Sequence, residues 1–163
     1  MTPAQTATLK AAIIADNNLA TQKAAHDTQA IADYLNTASA FIIWKTATSV
    51  DDIMRNGIDW TRVDNLSVGK ARVWEWMSRL GVLNCSKTNI RAGIDAVWVG
   101  TAADLAVRAY IYSQCKRAAT WFEQVFATGT GTDATPGFLV IEGSVSEFEI
   151  RMIAWSDAGE WLL

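Results

Sequence analysis

Histidine, cysteine and proline are scarce in this chain: 163 residues hold one His, two Cys and two Pro. A single imidazole, His26, supplies neither the clustered ligands of a zinc site nor a nucleophile paired with an oriented base. The Asp27–Thr28 pair beside it can cap a restarting helix, which marks His26 as a surface or cap residue. Cys85 and Cys115 lie far apart, with neither redox-pair nor metal-ligand spacing, and are expected as small core or near-surface thiols. Two cysteines are too few for a disulfide scaffold. No apolar run reaches the roughly 18 residues of a membrane span. Met1–Lys10 has no charged segment leading into a long apolar one, so a cleaved secretion signal is not expected either.

What is present is apolar surface. Half of the residues are hydrophobic and 19% are charged, enough to bury a core, and the length suits one helical domain over 1–163. Eight tryptophans are the unusual signal, since large amphipathic rings suit surfaces buried between subunits. The formal charge of −3 is uneven. Residues 1–54 carry 3 Lys and Arg against 5 Asp and Glu, residues 55–117 carry 10 against 5, and residues 118–163 carry 1 against 7. A positive segment and a negative one can complement each other between copies of a chain.

The pattern is mainly α. Thr2, Pro3 and Gln5 form a capping-box start to a first helix, with Ala4, Ala7, Leu9, Ala11, Ile13 and Ile14 toward the core. A second helix is expected over about 21–35. Phe41–Thr46 reads as a strand, and Ser49 caps a short helix that Gly57 closes. Residues 57–66 read as a turn with a single helical turn. Ser67 opens a helix to Leu80, with Val73, Trp74, Trp76, Met77 and Leu80 expected inward, and Ser86 opens another through Trp98. Thr101 and Asp104 cap the longest element, a helix over about 102–128 without Pro or Gly. The fold expected is a helical bundle around it, with a minor two-stranded β element made by 41–46 and 138–142. Ser146 and Glu149 cap a last helix, and 151–163 is read as a tail available to a partner.

No catalytic residue, metal site or cofactor is expected. Gly129–Gly137 lacks the Lys-Ser/Thr pair of a phosphate loop, and Gly129 is better explained as the stop of a helix. The acids Glu142, Glu147 and Glu149 fall at a strand end and a helix start. Candidate protein-interface residues are Trp44, Trp60, Trp155, Trp161, Leu162 and Leu163. Lys70, Arg72, Arg79, Arg108, Lys116 and Arg117 are the candidate DNA or charge-complementary contacts, with nucleic acid a secondary partner.

Gly57–Trp76, Ser86–Asp95, Ala127–Gly143 and the Ser146–Glu149 helix start resemble segments of small proteins encoded in the virion gene clusters of tailed bacteriophages and prophages, as does the opening Thr-Pro-Ala-Gln. The resemblance covers most of 2–150 and leaves Arg151–Leu163 unmatched. It implies a non-enzymatic structural component of the virion, made in the host cytoplasm, oligomeric in the particle and in contact with other phage structural proteins rather than membrane. Within that class it implies a multicopy neck or tail protein of head–tail adaptor type. The alternatives are a capsid-associated minor or decoration protein and, in another class, a nucleic-acid binder using 55–117.

Overall fold

A computed structural model describes residues 1–156 and 159–163. It is mostly helical, 55% helix against 13% strand, which settles the class. Two compact units divide the chain, one built from Met1–Phe41 with Ala118–Leu163 and the other from Ile42–Arg117.

The first unit opens with α1 (Pro3–Ala15), whose Thr2 cap and Gln5 complete the expected capping box. Its inward residues are Leu9 and Ile13, while Ile14 is exposed. The second helix does not run unbroken. A 3-10 turn (Asn17–Leu19) and α2 (Ala20–Ala24) come first, then α3 (Thr28–Leu35) restarts behind the Asp27 cap. The break is His26, at φ 55, the one non-glycine residue with positive φ among those described. The His26 N–H donates to the Lys23 carbonyl and the Asp27 N–H to the Gln22 carbonyl, the bond pattern of a left-handed helix stop usually made by glycine. Helix α9 (Trp121–Phe126) and helix α10 (Glu147–Ala154) complete this unit, with α10 lying along α3. Leu9, Ile13, Leu19, Ile31, Phe122 and Ile150 form its core.

The second unit holds α4 (Val50–Arg55), α5 (Trp60–Asp64), α6 (Val68–Ser78), α7 (Thr88–Val97) and α8 (Ala102–Gln114). Trp98, fully buried, meets Trp74 edge to face at 5.4 Å between ring centres, within a core that includes Ile53, Leu83, Ile94 and Ile111. Strand β2 (Thr48–Ser49) pairs antiparallel with β3 (Val82–Leu83). Cys85 and Cys115 are both buried and joined as a disulfide, their Cα atoms 5.8 Å apart. This corrects the expectation of two thiols. The contact comes from tertiary packing, which local spacing does not encode.

Two expectations about the scaffold are also corrected. The helix over 102–128 does not exist as one element: α8 stops at Gln114, and β4 (Lys116–Thr120) intervenes before α9. Residues 116–120 extend because they pair with β1 (Ala38–Trp44), and Thr120 then caps α9 through a capping box with Glu123. The partner of the first strand is therefore β4 and not 138–142. Those residues form no strand; Phe138 makes an isolated bridge to Thr128, closing the loop between them. That loop folds over Phe41, whose ring occupies the space where a Cβ on Gly131 or Gly137 would stand.

Candidate functional site

The candidate residues do not converge on one site. Trp44 is buried in the second unit against Tyr112, with the Arg91 guanidinium 5.1 Å from its ring centre, so the interface expectation there is corrected: the ring is core. Trp60 stands exposed on α5. Trp155 and Trp161 face each other across an antiparallel bridge, and the Leu162 N–H donates to the Ala154 carbonyl. Trp161 and Leu163 pack on the core of their own unit, whereas Leu162 and Trp155 keep about a third of their surface exposed. The end of the chain thus folds back onto α10; positions 157 and 158 of the expected tail lie outside the described residues.

All six basic candidates belong to the second unit, and all have interaction partners within the chain. Arg79 pairs with Glu75 at 2.5 Å and Arg108 with Asp95 at 3.4 Å. The Lys70 ammonium donates to the Val99 carbonyl at 2.8 Å. Lys116 lies over the Trp44 ring at 5.8 Å, and Arg72 over Trp76 at 5.6 Å. Arg117 sits at the last position of this unit. Such contacts hold basic groups in place along separate elements instead of aiming them at a common phosphate track. The second unit as a whole carries 11 Lys and Arg against 7 Asp and Glu, and the first carries 3 against 10. Formal charges of +4 and −7 follow.

One partly buried ion pair ties two helices of the second unit together. Arg62 on α5 grips Asp104 at the start of α8 with Nη2 at 2.5 Å and Nε at 3.2 Å, and the Asp104 side chain is buried. The Arg62 contact, aided by the Thr101 hydroxyl and backbone, holds the Asp104 carboxyl down at about 2. On α8, burial and the acceptor Asp95 push the Tyr112 hydroxyl above its ordinary range, so it stays a proton donor. Among the described residues no group of three His, Cys, Asp or Glu side chains could hold a metal ion.

Two exposed apolar stripes and a cavity stand out among the described residues, and sequence periodicity gave none of them. On α6, Val68 is 85% exposed and Trp76 59%, and Leu80 in the following turn is 59% exposed. With Arg72 they recur every four residues as one outward line, so the expectation that Trp76 and Leu80 face the core is corrected, while Trp74 and Met77 face it as expected. On α10, Phe148 at 67% and Met152 at 65% stand beside Trp155 on the outer face, while Ile150, Ile153 and Ala154 are buried. The cavity, of about 550 Å³, opens beside that face and is lined by His26, Thr28, Glu147, Arg151, Trp155 and Gly159. Its back wall is aromatic. The His26 ring stacks on Trp161 with centres 4.4 Å apart and meets Trp155 edge-on at 5.7 Å. Thr28 donates its hydroxyl to one Glu147 oxygen at 2.8 Å.

No protein-family model matches the chain, and neither a curated protein nor a solved structure matches it. No helix among the described residues is long and apolar enough to cross a membrane.

Proposed function

We propose that the chain is a structural component of a tailed-phage particle, a multicopy assembly protein of neck or tail type. The observation that carries this reading is the pair of outward apolar stripes on α6 and α10, one in each unit. Large exposed side chains in line along a helix leave apolar surface in water and mark a surface made to be covered. Their Trp, Phe and Met content matches the residue types that concentrate in the centres of protein interfaces. The resemblance of 57–76, 86–95 and 127–143 to proteins of virion gene clusters supplies the setting, and the particle supplies the partners. Opposite net charges on the two units favour contacts between unlike surfaces, as neighbouring copies make. The chemistry performed is association, with no bond made or broken. A capsid-bound position would use the same surfaces in the same class of particle.

The test is an inventory of purified particles. Mass spectrometry of virions banded from a producing culture should find the chain at a fixed multiple of a tail or neck protein, and electron microscopy of particles lacking it should show defective necks or tails. Absence from washed particles, with normal morphology when the gene is removed, refutes the reading.

A further inference from the structure

From the stripes and the cavity, we infer that copies of this chain join head to tail, the α6 stripe of one copy seating on the α10 stripe and cavity of the next. The inference rests on the assembly reading above and names its surfaces. The two faces match in chemistry, each offering exposed apolar side chains beside charged ones. On α6 the Arg72 guanidinium covers the Trp76 ring, a cation over an indole that projects from the helix between Val68 and Leu80. On the first unit, the cavity presents Trp155 and the His26 imidazole as walls for an incoming ring. Glu147 is its acid, with one oxygen engaged by Thr28. Indoles that enter preformed pockets are the usual anchors of protein interfaces.

Charge selects the partner as a second copy and the contact as one between unlike faces. Beside the α6 stripe lie Arg72 and the Arg79–Glu75 pair, on a unit of formal charge +4. Glu147 and Arg151 edge the α10 stripe on one side and Glu149 on the other, on a unit of formal charge −7. Two α6 faces brought together would set like charges against each other, and so would two α10 faces. The unlike pairing removes that cost and buries both apolar lines at once.

His26 has a place in this arrangement. A histidine held at φ 55 keeps a conformation that glycine adopts without strain, and what the structure gains is an imidazole stacked on Trp161 at the cavity wall. Backbone strain of this kind fixes a side chain where a rotamer change alone would not place it.

Complementation between two defective chains tests the contact. One variant, Val68→Ser with Trp76→Ser, removes the α6 stripe; the other, Phe148→Ser with Met152→Ser, removes the α10 stripe. All four positions are exposed or outward, so both variants should melt like the parent protein. In sedimentation velocity the parent protein should assemble beyond monomer as concentration rises. Each variant alone should associate about 30-fold more weakly or worse, the scale of losing an anchor residue. Mixed in equal amounts, the two should form a 1:1 dimer through the one intact pair of faces. A parent protein that stays monomeric overturns the inference, as does either variant assembling like the parent or a mixture that remains monomeric. Particles that contain the chain while the variants associate normally would remove this contact and keep the particle reading. The reverse result, intact complementation with no chain in particles, would keep the contact and remove the particle.

Discussion

Replacing Gly131 by Ala probes the packing of the first unit at its tightest point. Gly131 sits at φ +65, and a Cβ built there would fall within the Phe41 ring. Two costs add. The left-handed conformation costs a side-chain-bearing residue about 1–2 kcal/mol, and forcing a methyl against a packed ring costs about 1–3 kcal/mol. Gly131→Ala should therefore lose about 2–5 kcal/mol, less any relaxation of the loop from Thr128 to Phe138. The two costs separate in a double-mutant cycle with Phe41→Ala. Taking the ring away removes the collision and leaves the backbone term, so Gly131→Ala should become milder by about 1–3 kcal/mol when Phe41 is already Ala. Urea denaturation followed by far-ultraviolet circular dichroism measures each corner of the cycle. Additive losses, or a Gly131→Ala protein as stable as the parent, would refute the claim that this loop is clamped on Phe41.

Trp98→Ala should cost about 3–5 kcal/mol in the same assay, because the indole is fully buried against Trp74 in the second unit's core. Joining Cys85 to Cys115 closes a loop across a separation of 30 residues, so reduction should lower stability by about 3.6 kcal/mol through loop-closure entropy, seen as a lower melting temperature with reductant. Asp104 is held at about 2 against an ordinary 3.8, so in acid the unfolded chain takes up its proton first. Its stabilising contribution is full above about pH 4 and fades as the pH falls toward about 2. Asp104→Asn should flatten that part of the stability–pH curve, and an unchanged slope in urea midpoints would contradict the Arg62 pairing.

Local signals were legible where local chemistry decides the structure. The caps at Thr2, Ser49, Thr101 and Ser146 each start a helix in the structure, because a side-chain oxygen meets orphan N–H groups wherever the fold places it. The break in the expected long helix was written in the same code. Thr120 and Glu123 spell a capping box inside an otherwise helical run, and a run without Pro or Gly is no guarantee of one helix. What sent 116–120 into a strand was pairing with a segment far away in the chain. The disulfide is tertiary in the same sense. The outward line Val68–Trp76–Leu80 was hidden differently. Apolar residues occur around most of α6, so periodicity alone gives its face no direction; packing against α7 buries Trp74 and Met77 and leaves the other side outward. For the candidate surfaces, composition singled out tryptophan without saying which rings are exposed: Trp44 went to the core and Trp76 to the surface.

The most direct test of the central claim is residue-level labelling with hydroxyl radicals, on the isolated chain and on intact particles. Trp76, Phe148 and Met152 should react readily in the isolated chain and become protected in the particle, while Trp98 stays unreactive in both. Equal labelling of the three in both states would contradict the account.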